Sequence, residues 1–241
     1  MFNNYILNSG ADNGKISVVI NRKKIKNARL KVHRDLTVSL NLPCGVPKKW
    51  IIDFLESHKN WIDTQITKRK KAIEYNNLRG PKSGFAQILG REMRIVKIKA
   101  DIKRAKFFLD ENTVIVYLKD LNGFDKAFQG WLRKLAHEIF ANETLVLYND
   151  IFEKYNIAFP LLRVRKMKSL WGSCAKTKNK IVINEYLIKA DIQCIQYVIL
   201  HELTHLLYIK HNADFYNFLS IYMPDWKQRK NLLKKQDCFL P

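Results

Sequence analysis

Two histidines four residues apart flank a glutamate in the segment His201-Glu202-Leu203-Thr204-His205. On a helix, residues with this spacing differ by about 40° around the axis, so both imidazoles lie on one face, one turn apart. Two rings so placed can bind one zinc ion, each at about 2.0–2.1 Å. Glu202 sits one residue on, close enough to reach a metal-bound water rather than the metal. A carboxylate there can accept that water's proton as it attacks a carbonyl and then pass it to the leaving amine. A third ligand is needed, and His211 follows His205 by six residues. A continuous helix would rotate His211 about 120° away from His205, onto the wrong face. The helix must therefore end near Tyr208–Lys210 and the chain must turn back. Asn212, a cap-forming residue just beyond, suits a break and a restart.

The same chain holds its own control: His137-Glu138 begins the pattern, but Ala141 stands where the second histidine would be. Other residues have two readings each. Trp171-Gly172-Ser173-Cys174 could form a rim over the metal, with Ser173 or backbone N–H groups contacting substrate, or a tight turn with a packed tryptophan. The strand Ile181–Asn184 could be a sheet edge on which an extended peptide pairs, or an interior strand. Trp171, Ser173 and Asn184 are the substrate-binding candidates. Cys174 is not expected to ligate, because three histidines and a water complete a catalytic site. Met223, before Pro224, reads as core packing rather than as a support beneath the metal. A donor opposite Glu202 is needed to stabilise developing negative charge, and Tyr186, Tyr197, Lys168 and Arg165 are unranked candidates.

These residues must be positioned by ordered elements. Between Ile16 and Leu42 the alternating segments ISVVI, ARLKVH and LTVSLNL read as two or three antiparallel strands with HRDLT as a turn. Val46–Asn76 carries Ile51, Phe54, Leu55, His58, Ile62 and Ile66 at helical spacing, which predicts one long amphipathic helix. AQILG, REMRIVKIKA, AKFFLD and NTVIVYL predict a second strand group, and a second long helix spans about Asp125–Tyr155. LLRVRKM and KIVINEYL read as strands around Trp171–Cys174. Asp191 is an N-cap for a helix with the stripe Ile192, Ile195, Ile199, Leu203 and Leu206; a short helix follows Asn212 and a terminal one follows Pro224. No internal repeat is visible.

The 241 residues, 47% of them hydrophobic, exclude disorder and are enough for a sizeable core. Cys44, Cys174, Cys194 and Cys238 stand far apart without a CxxC, so neither a disulfide scaffold nor a zinc ribbon is indicated. No apolar run approaches the roughly 18–20 residues of a membrane span, and MFNNYILNSG lacks the features of a secretory signal. The expectation is a cytoplasmic protein without a membrane partner. Lys+Arg 43 against Asp+Glu 22 gives a net charge of +21, which makes nucleic acid or another polyanion a candidate partner. Of those 43, however, 31 are Lys, a bias that would coat any surface with charge. No nucleic-acid motif accompanies it.

The spacing HExxHxxxxxH equals that of metzincins, but Tyr208 occupies their glycine position, so only the ligand count carries over. Across nearly the whole chain the sequence resembles the YgjP-like family of metal-dependent hydrolases, distant relatives of SprT-like zinc proteases. The matching pieces are NARLKVHRDLTVSLNLP, HKNWIDTQ, ILGREMRI, RVRKMKSLWGSC, KIVINEYLIKA, QYVILHELTHLLYIKHNADFYNFL and YMPDW. Tyr216 stands where the family often has Trp, and Asn212 where it often has Ser. The resemblance implies a compact zincin-type catalytic domain with zinc on His201, His205 and His211 and Glu202 as catalytic base.

The resulting expectation is an α+β chain: a mostly β N-terminal region with one long helix over residues 1–122, then a zincin-like metallohydrolase domain over 123–241 whose active-site helix carries the HExxH. It would bind one Zn²⁺ per chain and hydrolyse peptide bonds in a protein or peptide substrate. Two alternatives stay open. One is a zinc hydrolase of a non-peptide substrate such as nucleotide phosphoanhydrides. The other is a DNA-associated SprT-like protease, or a nucleic-acid-binding protein whose site is vestigial.

Overall fold

Apolar and polar residues alternate along the first forty positions, and a computed structural model, which describes residues 3–8, 14–33, 35–78 and 81–235, contains four strands there. They are β1 (Asn4–Asn8), β2 (Lys15–Lys23), β3 (Arg29–Val32) and β4 (Val38–Pro43), in the sheet order β1-β2-β4-β3. One face buries Leu7, Val18, Ile20, Val32, Val38, Leu40 and Leu42. The pairing is not wholly antiparallel as expected: β2 runs parallel to β4, with Val18 beside Val38, and β3 returns antiparallel along β4's other side. Alternation shows which face a strand buries, but it does not choose the neighbour.

The expected single helix is two, α1 (Lys48–Ser57) and α2 (Lys59–Leu78). The break falls at His58, where the Phe54 carbonyl is taken by the Ser57 hydroxyl (2.9 Å) and lies 2.8 Å from His58 Nδ1. Ile51, Leu55 and Ile62 still reach the sheet's core, so the apolar stripe survives the break.

The chain divides into two compact units, Met1–Asn77 and Leu78–Pro241. This moves the expected boundary from 122/123 to 77/78. The reason lies in the second sheet, β5 (Phe85–Ile88), β6 (Arg91–Lys99), β7 (Lys106–Asp110) and β8 (Thr113–Leu118). Its buried face (Ile88, Met93, Ile95, Val114, Val116, Leu118) shares one core with Phe124, Phe128 and Leu132 of α3 (Phe124–Leu147). Strands with the same alternation cannot reveal from sequence which core they join. The two four-stranded sheets also share a topology. The order β5-β6-β8-β7, with a parallel central pair and antiparallel flanks, repeats that of the first sheet, although the sequence shows no repeat.

Beyond α3 the chain continues helically to Tyr155 and stops at Asn156, whose φ of 54° is left-handed. A third sheet follows, built from β9 (Leu161–Arg165), β10 (Gly172–Ala175) and β11 (Lys180–Asn184). Its order is β10-β11-β9, so β11 is central and β10 is an edge. The remaining helices are α4 (Ile192–Leu207), α5 (Ala213–Tyr222) and α6 (Trp226–Lys235). Ile195, Ile199, Leu203 and Leu206 place the α4 stripe in the core, as its spacing predicts. A polar chain ties α4 to its neighbours: Arg229 Nη1 donates to Gln196 Oε1 (2.8 Å), and Gln196 Nε2 donates to Glu143 Oε2 (3.0 Å). Among the described residues the fold is thus mixed α and β, with three sheets and six α-helices. No described helix is long and apolar enough to cross a membrane.

The start of α4 depends on a distant turn. Leu89 and Gly90, both at positive φ (50° and 77°), make the β5–β6 turn, and their N–H groups donate to Ile188 and Lys189 just before the helix. A Cβ on Gly90 would lie 3.0 Å from the Asp191 Cα and 3.1 Å from its Oδ2. Asp191 is the N-cap, its carboxylate accepting from Gln193 N–H at 2.9 Å. Gly90→Ala is therefore expected to destabilise the second unit by about 1–3 kcal/mol, read as a lower midpoint in urea unfolding.

Candidate metal centre

Helix α4 brings His201 and His205 onto one face one turn apart, with ring centroids separated by 5.0 Å. The helix then ends where the ligand argument requires. Tyr208, at φ −117° and ψ 110°, is extended, and its N–H closes the last turn on the Thr204 carbonyl. Three residues later the chain has reversed. Asn212 caps α5 by accepting the Phe215 N–H at 3.2 Å, and His211, immediately before it, returns to the histidine pair. Its Nε2 lies 3.0 Å from His201 Nε2. One possible donor atom from each of the three residues falls within 4.8 Å of the others, and this is the group of such donors found among the described residues.

Phe215 holds the cluster together. Fully buried, its ring sits 5.0, 4.8 and 4.7 Å from those of His201, His205 and His211, and so forms a floor common to all three. Sequence reading assigned it no role. Its position four residues after His211, on the first turn of the capped helix, is the signal that could have found it.

The rings are in the form that binds a cation. His205 Nδ1 lies 3.0 Å from the Tyr208 carbonyl. A carbonyl can only accept, so Nδ1 carries a proton there, and Nε2 is the nitrogen left to serve a cation. Burial, followed by repulsion from His205, His211 and Lys230, lowers the His201 pKa to about 3, and His211 is lowered by burial and then by His205 and Lys230. Both are thus neutral at pH 7. Two nitrogens that ligate one tetrahedral zinc at about 2.0–2.1 Å stand about 3.3 Å apart, close to the separation of His201 and His211. The donor set therefore fits a divalent metal ion.

Glu202 is 6% exposed, and burial pushes its carboxyl up to about 8. A cation among the three imidazoles would oppose that shift and favour the carboxylate. Directly across from it runs Gly172 of β10. A Cβ added there would lie 2.6 Å from Glu202 Cγ and Oε1, far inside contact distance. Gly172 is not at a positive φ, so its need for glycine is one of space alone.

A cavity of about 720 Å³ opens over the cluster, bounded by β10, α4 and α6. Trp171 and Ser173, two of the expected substrate contacts, line it, as do Cys174 and Tyr197. Burial pushes the Cys174 thiol up to about 11 and the Tyr197 phenol up to about 12, so both are neutral at physiological pH. Of the four unranked donors expected opposite Glu202, Tyr197 is the one that the fold places in the cavity. Met223 is buried in the core at the end of α5, as expected.

The third expected substrate contact is corrected. Asn184 lies on the central strand β11, is fully buried, and does not line the cavity. Its Oδ1 accepts from the Met167 and Tyr186 N–H groups, and its Nδ2 donates to the Met167 and Leu170 carbonyls. The side chain clasps the loop that leads into β10, and no polar atom is left over for a substrate. The Ile181–Asn184 strand is likewise interior; the edges of this sheet are β9 and β10, of which β10 lines the cavity.

The chain matches the family model of the YgjP-like, metallopeptidase domain over residues 26–236. No curated protein matches it. Among solved structures it is similar to the crystal structure of the metallopeptidase zymogen of Methanocaldococcus jannaschii jannalysin, with 21% identity, 42% of this chain and 95% of that chain covered, and a TM-score of 0.34.

Gly172→Ala is expected to displace the Glu202 carboxylate by about 1 Å while leaving the histidine cluster in place. A crystal structure of the variant checks this; an unmoved Glu202 would contradict it. Asn184→Ala should cost about 2–4 kcal/mol, since it strands several buried backbone groups, and the loss is read by denaturant unfolding.

Proposed function

Because the chain belongs to the YgjP-like family of metallopeptidase domains, we propose that it is a zinc-dependent metallopeptidase in which His201, His205 and His211 hold one zinc ion and Glu202 is the general base. The observation that carries this reading is the convergence of three imidazoles beside a buried carboxyl at the base of an open cavity. Bound there, zinc would acidify a water and polarise the scissile carbonyl.

The protein's own groups supply the rest. Glu202, one residue from His201 and pressed against β10, takes the attacking water's proton on a carboxylate oxygen and returns it to the leaving amine. Gly172 lets that carboxylate lie flush with the strand. The Tyr208 carbonyl fixes the His205 tautomer and orients its ring. The edge of β10 away from β11 offers unpaired backbone groups to an extended peptide, laid alongside Glu202. Tyr197, protonated and in the cavity wall, is the donor for the oxyanion that develops at the carbonyl. Trp171 supplies an apolar surface and Ser173 a hydroxyl within the same cavity.

Elemental analysis of the purified, zinc-supplied protein should give about one zinc per chain, sharply reduced in His211→Ala. Glu202→Gln should retain the zinc while peptide hydrolysis falls by about 10²–10⁴-fold, followed with casein or a peptide mixture by mass spectrometry. Full activity in that variant removes Glu202 as base. Hydrolysis of nucleoside triphosphates with none of casein would transfer the site to phosphoanhydrides.

A further inference from the structure

The cavity over the histidines has an uneven charge. Among the described residues Glu202 is the one carboxylate in its wall, whereas Lys176, Lys230 and Lys234 contribute three ammonium groups. Lys176 is already engaged, its Nζ donating to the Leu207 carbonyl at the end of α4 (3.0 Å). Lys230 and Lys234 are different. Four residues apart, they share one face of α6, with Leu233 between them also in the wall. The Lys230 ammonium lies 5.7 Å from the Trp226 ring and 6.0 Å from that of Tyr216; these two rings are themselves stacked at 5.1 Å. Half-buried beside that stack, Lys230 lines the same cavity as the histidines, and its charge is felt at both His201 and His211. Among the described residues neither lysine makes an ion pair.

A half-buried cation aimed at three metal-binding imidazoles is unfavourable until an anion joins it, because it repels the very ion that the imidazoles would hold. We propose that Lys230 and Lys234 form a recognition subsite for a carboxylate, so that the chain selects peptides with an acidic side chain close to the scissile bond. This rests on the peptidase reading. The rest of the lining, from Trp171, Val198 and Ile209, is apolar and suits the body of a peptide. A triphosphate fits the same wall less well. The turn of α6 that faces the cavity is its C-terminal one, where the helix dipole is negative and the backbone presents carbonyls, so no N–H cradle backs the lysines. Two point charges on flexible stems match one carboxylate in number and reach.

The test uses the zinc-loaded full chain and a proteome-derived peptide mixture, with cut sites read by mass spectrometry. The best-cleaved peptide is then compared with its isostere in which Asp or Glu becomes Asn or Gln. Acidic residues should be enriched at one position beside the cut, and kcat/KM should favour the acidic peptide by about tenfold or more at low salt, falling as ionic strength rises. In Lys230→Gln/Lys234→Gln that ratio should approach one, and Lys234→Glu should shift the preference at that position toward Lys or Arg. Cleavage with no acidic preference, or a preference unchanged in the double variant, overturns the subsite and leaves the peptidase reading standing. Absence of peptide cleavage by a chain that binds zinc and hydrolyses nucleoside triphosphates overturns the peptidase reading itself, and the acidic-peptide assignment with it.

Discussion

Helix α4 has to stop at Leu207, and the geometry of the three-histidine cluster follows from that stop. Were the helix to run on, His211 would point about 120° away from His205 and the third imidazole would be lost. The extended backbone at Tyr208 ends the helix, the Tyr208 carbonyl turns inward to hold His205, and Asn212 restarts a helix at once. That restart brings Phe215 beneath the three rings. One interruption therefore sets the place of the third imidazole, the hydrogen bond of the second and the floor under all three.

The same region is expensive to fold. A carboxyl, three imidazoles and three lysines line one cavity, and burial drives the carboxyl and His201 toward their neutral forms. The cost is offset by the scaffold behind: a fully apolar α4 stripe, the chain from Arg229 through Gln196 to Glu143, and Asn184 holding the approach to β10. Glu202 is confined from the other side by Gly172, where even one carbon would intrude.

Much of this was legible in the residues. The HExxH spacing put two histidines on one face, Asp191 and Asn212 marked both helix starts, and the rotation argument required a break before His211. These are local inferences, set by 3.6-residue periodicity and capping chemistry. Other readings failed for a common reason. Asn184 looked available for a substrate because its strand could have been an edge, and the second sheet looked like part of an N-terminal region because its alternation matches the first. In both cases the deciding fact is a neighbour distant in sequence.

The amino-acid order by itself determined which side chains could act as ligands and base, which faces would be buried, and where helices begin. Only the tertiary structure decided that β11 is central and β10 an edge beside the cavity, that the chain divides at 77/78, that Phe215 underlies the cluster, and that two lysines of α6 line the same cavity. Periodicity and capping act over a few residues and are written locally. Strand order, the sharing of a core and the convergence of side chains depend on which apolar faces meet, and that is settled only when the whole unit packs.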